Sequence, residues 1–191
     1  MKNLYNKKKV AIVTGASKGV GFGILENLAR SGLNVVGVSR NKKNLLRAQN
    51  LIFKNHGVKI NILRADVSDL SSPKKIINKC LKKWGWIDVL VNNTGGPPPL
   101  NISQTENKDW DKAYKNNLMS VVNFTKYVIP TMKKNKWGRI LTISSTVAKE
   151  PPPSMVLSAS MRAGVTAFNK AVSIDLAKYN INCNVLCLGG V

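Results

Sequence analysis

Val10-Ala11-Ile12-Val13-Thr14-Gly15-Ala16-Ser17-Lys18-Gly19-Val20-Gly21 is the stretch on which the reading of this chain turns. The apolar run into Thr14 reads as a strand covered on both faces, and it passes without a spacer into a turn holding three glycines. Glycine lets such a turn close and lets backbone N–H groups approach a pyrophosphate at the start of the following helix, where aligned peptide dipoles favour negative charge. Gly15, Ser17, Lys18, Gly19, Val20 and Gly21 are therefore candidate phosphate-binding residues. A glycine turn that merely joins two elements is the competing explanation. Its position, at the first strand-to-helix turn of a βαβ unit, favours binding.

Outward from this turn the same rhythm continues. Short β-branched runs (NVVGV, VKINILR, IDVLV, RILTI, CNVLCL) alternate with segments of helical period at Gly19 to Ser31, Asn41 to Asn55, Ser72 to Trp84, Leu118 to Lys134 and Ser154 to Tyr179. Alternation of this kind predicts an α/β fold: a Rossmann-like, doubly wound parallel sheet in three layers, with residues 1–191 forming one dinucleotide-binding domain. Ser72 followed by Pro73 reads as a capped helix start. The clusters Pro97 to Pro99 and Pro151 to Pro153 must be loops, and each follows a strand, which puts both on the edge where ligands of open α/β sheets bind.

Composition narrows the function classes. No apolar run is long enough for an export signal or a membrane span. Cys80, Cys183 and Cys187 show neither paired nor metal-ligand spacing, so no disulfide framework and no metal site are expected, and a reducing cytoplasm is the natural setting. Thirty Lys+Arg against nine Asp+Glu give a net charge of +21, which attracts phosphate-bearing partners. The lysines are spread through almost every helical segment, as on solvated faces, and no aromatic platform is visible beside them. Nucleic acid is accordingly disfavoured as a partner. His56, before a glycine, reads as a solvated loop residue, and Tyr127 and Tyr179 as packing residues.

At the end of the second strand, where an NAD-binding site wants a carboxylate for the ribose 2′-hydroxyl, the chain reads Val38-Ser39-Arg40. Arg40 offers a forked guanidinium suited to a 2′-phosphate, with Lys18 as a second cation, which favours NADP(H) over NAD(H); the competing explanation is that Arg40 simply begins a basic surface helix.

Several of these features together resemble the classical short-chain dehydrogenase/reductase family. Thr14 to Gly21 resembles its TGxxxGxG, Asp66-Val67 its adenine-contacting aspartate, and Asn92-Asn93-Thr94-Gly95 its NNAG. The resemblance implies cofactor roles for Asp66, Val67, Asn93 and Gly95. Asn117 falls on the active-site asparagine, and the run from Gly138 to Ser145 resembles the strand that ends in the catalytic serine, Ser145. In that family a tyrosine protonates the substrate carbonyl, while a lysine one helical turn later binds the nicotinamide ribose. Here Ser158-Ala159-Ser160-Met161-Arg162-Ala163-Gly164-Val165 matches YxxxKAGV at its AGV end, so Ser158 stands for the tyrosine and Arg162 for the lysine. Loss of a positioned acid costs about 10² to 10⁴ in rate. Lys149 is a substitute proton source to consider, and none of Tyr5, Tyr114, Tyr127 or Tyr179 has the spacing.

Asn184 to Val191 resembles the family's following strand and turn, with Leu188 at its usual proline. Relatives continue through a substrate-closing loop and a last strand, so the resemblance implies an open sheet edge and a site without its lid, either in a fragment or in a chain that relies on a partner. The overall expectation is an NADP-dependent oxidoreductase moving hydride between NADP(H) and a small carbonyl or alcohol. By analogy it pairs through its two long helices as a homodimer or homotetramer. A non-catalytic NADP-binding or scaffold protein, or an inactive truncated fragment, is the alternative.

Overall fold

The computed structural model describes residues 7–189. Its strands are β1 (Val10–Thr14), β2 (Asn34–Ser39), β3 (Asn61–Arg64), β4 (Val89–Asn92), β5 (Gly138–Ser145) and β6 (Ile181–Leu188). They form one parallel sheet in the order β3-β2-β1-β4-β5-β6. Its helices are α1 (Gly19–Arg30), α2 (Lys42–His56), α3 (Ser72–Trp84), α4 (Asn107–Ala113), α5 (Ser120–Asn135) and α6 (Val156–Leu176). The chain starts in the middle of the sheet and builds outward both ways, so strand order reverses between β1 and β4, and a crevice opens there beyond the carboxyl ends of the strands.

The period of two along β1 divides the core. Val10 and Ile12 face a layer with Ile76, Ile77 and Cys80 of α3, Phe124, Val128 and Met132 of α5, and Leu176 of α6. Ala11 and Val13 face the other side, against Leu25 and Ala29 of α1 and Ile52 of α2. Both faces are therefore covered, which is why the strands read as unbroken apolar runs rather than alternating ones. The expected α/β sandwich is the observed fold, with six strands, and β6 lies at one edge of the sheet.

Several local expectations differ from the structure. Ser71, not Ser72, precedes the first turn of α3 and makes no capping bond; Pro73 lies in that turn, and the Ser72 hydroxyl donates instead to Asp69 Oδ2 at 3.1 Å. His56 is no loop residue: it ends α2 and its Nε2 meets Glu26 Oε1 at 2.9 Å. Helix α4 and a π-helical turn at Tyr114–Met119 precede α5, where the sequence reading has only a connection. Polar residues dominate Asn107 to Asn117, so hydrophobic period gives little signal there.

Both proline clusters are loops at the carboxyl edge, and just beyond them Leu100 and Met155 form an isolated parallel bridge. The loops after β4 and β5 thus meet over the crevice. Tyr127 and Tyr179 pack against the α3–α5 side of the core, as expected.

Candidate active site

Every candidate residue lies at or just beyond the carboxyl end of a strand or on the helices that follow, which puts them all toward one edge of the sheet. The glycine turn is held by tight packing. Gly15 has φ +58°, and a β-carbon on it would stand 2.5 Å from the Asn93 carbonyl oxygen and 2.7 Å from Asn93 Nδ2. One on Gly21 would stand 2.3 Å from the Gly15 carbonyl oxygen. Both glycines therefore let the turn nest against the end of β4. Gly19, at φ +56°, differs: nothing lies within 4 Å of where its β-carbon would be, leaving open space at the start of α1. Asn93 ties the two strand ends together. The Thr14 hydroxyl donates to the Asn93 carbonyl at 2.9 Å and accepts from Asn93 N at 2.9 Å, while Asn93 Nδ2 donates to the carbonyls of Thr14 and Gly15 at 3.3 Å each.

A cleft of about 490 Å³ runs from this turn to the end of β5 and β6, lined in part by Lys18, Gly19, Asn93, Gly95, Ser145 and Arg162. The adjoining cleft, about 250 Å³, carries Asn117 and Arg40 and shares Gly95 and Gly96 with the first. A third, about 440 Å³, is lined by Arg40, Arg64, Asp66, Asp69, Lys75 and Lys79 among others. Arg40 therefore shares its corner with Arg64, whose Nε donates to the Arg40 carbonyl at 3.2 Å. Lys18, paired with Arg40 in the sequence reading, lines none of the Arg40 clefts; it lies beside Ser17, Asn44 and Arg47. Arg64 was missed because it ends β3, distant in sequence, although strand order puts it opposite Ser39. The Ser17 and Ser39 hydroxyls meet at 3.0 Å between them. Asp66 Oδ1 accepts from both the backbone N and the hydroxyl of Ser68, at 2.9 and 2.7 Å, and Val67 is buried behind it.

Asn117 sits in the π-helical turn, a feature that often re-aims a side chain at a functional site. Its Nδ2 donates to the Gly95 carbonyl at 2.8 Å and to the Thr94 hydroxyl at 3.1 Å. Its Oδ1 is buried without a partner, as is the Ser144 hydroxyl, so two polar groups near the crevice carry unmet hydrogen-bonding capacity.

The remaining pair does not behave as one unit. Ser158 is in the first turn of α6 and Arg162 one turn later, on the same face. Arg162 reaches the cleft and donates from Nη1 to the Ile143 carbonyl at 2.9 Å; burial lowers its pKa from the usual arginine range, and the nearby Cys187 opposes the shift. Ser158 is only 9% exposed and does not line the cleft. A serine is too short to span the distance that a phenol would cover from this helix. Ser145 lines the cleft, its hydroxyl accepting from Val147 N at 3.4 Å, whereas Lys149 is exposed and outside it. Among the described residues no group of three His, Cys, Asp or Glu side chains could hold a metal ion. No helix among them is long and apolar enough to cross a membrane.

A glycine turn at the switch point of a parallel sheet, with cationic and amide groups along the crevice, defines a dinucleotide-binding α/β protein. The short chain dehydrogenase family model matches residues 9–191. The chain belongs to the short-chain dehydrogenase/reductase family, whose members are generally oxidoreductases acting on CH–OH or carbonyl groups. It is 31% identical over 183 residues to the 3-oxoacyl-[acyl-carrier-protein] reductase FabG of Buchnera aphidicola, spanning 95% of this chain and 73% of that one. It is also 31% identical to the 2,3-dihydro-2,3-dihydroxybenzoate dehydrogenase of Bacillus subtilis, spanning 95% and 69%. Among solved structures it superimposes on YwfH, an NADPH-dependent reductase of bacilysin biosynthesis, with TM-score 0.90 at 31% identity, covering 95% of this chain and 72% of that one. It matches an NAD+-bound xylitol dehydrogenase with TM-score 0.89 at 25% identity, covering 95% and 70%.

Proposed function

We propose that the protein is an NADP-dependent oxidoreductase that moves hydride between NADP(H) and a small carbonyl or alcohol. The observation that carries this reading is the corner at the end of β2, where Arg40 and Arg64 stand together and no carboxylate follows Ser39. Two guanidiniums there suit a 2′-phosphate; the NAD ribose would want an acid. The relatives point the same way in part, since YwfH is NADPH-dependent while the xylitol dehydrogenase holds NAD+.

The residues fit the cofactor on their own geometry. Open space at Gly19 leaves room for a pyrophosphate against the start of α1, with Gly15, Ser17, Lys18, Val20 and Gly21 shaping the turn. Asp66 and Val67 would border the adenine, and Asn93, Gly95 and Arg162 the nicotinamide end. Bound there, the nicotinamide supplies hydride. The chain orients the substrate with Ser145 and Asn117 and holds the cofactor ribose with Arg162. With Ser158 out of the cleft, the proton that completes reduction comes from solvent, which places turnover about 10² to 10⁴ below that of an enzyme with a positioned acid.

A second reading, cofactor binding without turnover, is favoured by one specific observation: Ser158 is buried and brings no hydroxyl to the cleft lining. Titration with NADPH and NADH followed by a carbonyl panel separates the two. NADPH binding with slow, substrate-dependent oxidation supports the enzyme, and binding with zero turnover across the panel supports the scaffold. Pairing through α5 and α6 into a homodimer or homotetramer is part of the proposal; Ile174 on α6 is 68% exposed and suits such a contact. The three unpaired cysteines suit a reducing cytoplasm.

A further inference from the structure

The parallel sheet has a second end. Because all six strands run one way, their amino ends share an edge opposite the cofactor crevice, and the carboxyl ends of α3, α5 and α6 return to it. There the fold gathers what the linear sequence scatters. Lys7 Nζ stands 4.4 Å from the Trp86 ring centroid, Lys9 Nζ 3.9 Å from that of Trp137, and Arg139 Cζ 4.4 Å from the same Trp137 ring. Lys83 lies over Trp84 at 4.8 Å, and Lys133 and Lys178 over Tyr179 at 4.6 and 5.4 Å. Between Trp86 and Trp137 a cleft of about 450 Å³ opens, lined also by Lys7, Lys9, Lys134 and Lys136. That volume lies in the range of about 300 to 1,000 Å³ that bound small groups fill.

The one acid in this cleft, Asp88, is already spent. It is buried, its Oδ2 accepting from Val10 N at 2.7 Å and its Oδ1 from Lys9 Nζ at 3.2 Å. That ion pair also engages Lys9, so Lys7, Lys134 and Lys136 are left to make the cleft cationic. Helix dipoles explain part of this, since lysines near the ends of α3 and α5 meet the partial negative charge of unpaired carbonyls. They do not explain Lys7, Lys9 or Arg139, which precede or begin strands, nor the half-buried indoles beneath them. Lys136 is informative in its own right. It ends α5 at φ +49°, a left-handed conformation that glycine supplies without steric cost at the ends of α2 and α3, Gly57 and Gly85. Lys136 thus stands in a backbone conformation that favours glycine.

We propose that this cleft binds single-stranded nucleic acid, with bases stacking on Trp86 and Trp137 and backbone phosphates held by Lys7, Lys134 and Lys136. Indoles offer faces to any base, and the Lys7 ammonium that rests on Trp86 can turn to a phosphate as a base arrives. Duplex is disfavoured, because only the carboxyl ends of helices reach this edge and none can enter a groove amino end first. An anionic membrane is disfavoured, because the indoles are recessed in a cleft rather than projecting from the surface.

The test uses the full chain and a fluorescein-labelled single strand of about ten nucleotides, read by anisotropy and by quenching of tryptophan emission. The expected results are binding that weakens steeply with salt, quenching on binding, and no competition from saturating NADPH. Lys134→Gln with Lys136→Gly should lower affinity at least tenfold with little change in the thermal midpoint, because glycine suits the backbone at 136 and offsets the small helix-end stabilisation lost at 134. Trp137→Leu should lower it by a similar factor and remove much of the quenching. The control Lys42→Glu with Lys43→Glu, on the distant α2, should change affinity less than threefold. The proposal is overturned if the α2 control weakens binding as much as the cleft variants or if Trp137→Leu leaves affinity unchanged. Equal affinity for heparin, for duplex of the same length or for phosphatidylserine vesicles overturns it too, as does displacement of the strand by NADPH.

Discussion

The guanidinium of Arg162 is bonded at 2.9 Å to the main-chain carbonyl of Ile143, in the strand next to β6. One of its donors is therefore committed to the fold, and the fork that remains faces the crevice. A lysine at this position would keep its single charged head free for a ribose, and a tyrosine at 158 would extend from the same helix face. Ser158→Tyr combined with Arg162→Lys should raise kcat on the best carbonyl substrate by about 10² or more, a gain larger than the product of the two single gains. Steady-state kinetics of the four proteins with NADPH checks this; a double variant no faster than the parent would mean that Ser145 and Asn117 are no longer set for chemistry.

The glycine turn allows a paired test of packing. Gly21→Ala should destabilise the protein by about 2 to 4 kcal/mol and abolish cofactor binding, since its methyl would collide with the Gly15 carbonyl and with Asn93. Gly23→Ala, two residues on in the same helix with nothing within 4 Å of the added carbon, should stabilise by about 0.5 to 1 kcal/mol. Urea unfolding of both variants decides it.

At the cofactor corner, Arg40→Asp should weaken NADPH binding by about tenfold or more, the usual worth of a charge-assisted bond, and should leave NADH binding equal or improved. Arg64→Ala should show the weaker version of the same shift. Equal losses for both nucleotides, measured by calorimetric titration, would remove the 2′-phosphate from this corner.

Burial pushes the Cys80 thiol from its ordinary 9.0 up to about 12, and that of Cys183 to about 11. The folded state keeps protons that the unfolded chain releases, so this contribution is complete below about pH 9 and is lost as pH rises through 11 and 12. Between those limits the slope approaches about 1.4 kcal/mol per pH unit for each thiol. Thermal midpoints should accordingly fall between pH 9 and 11, and a Cys80→Ala, Cys183→Ala variant, lower at neutral pH, should fall less.

The fold was largely legible because its signal is local. Unbroken apolar strands, glycine at the first turn and proline at two loop starts each follow from the residues in place, and the sheet needs little more. What escaped notice depends on juxtaposition. Arg64 joins Arg40 only because β2 and β3 are neighbours, and Lys18 parts from Arg40 because the turn points it toward Arg47. That Ser158 is buried and absent from the cleft lining is a matter of tertiary packing, which no spacing conveys. Likewise Trp84, Trp86, Trp137 and Tyr179 come from three stretches of chain, and no local pattern brings them together.

The π-helical turn at Tyr114–Met119 acts as a phase shifter. The backbone N of Ser120 bonds to the carbonyl of Lys115, five residues back, so the chain accommodates one residue more than an α-turn holds. Helices α4 and α5 consequently run on as a single rod whose two halves are rotated against each other by about one residue's step, roughly 100°. Deleting one residue from this turn would restore an uninterrupted α-helix and so cost little in helicity. It would also swing Asn117 away from Gly95 and turn one half of the rod by about 100° relative to the face that buries Phe124, Val128 and Met132, so the lesion would reach the core packing of α5 as well as the crevice.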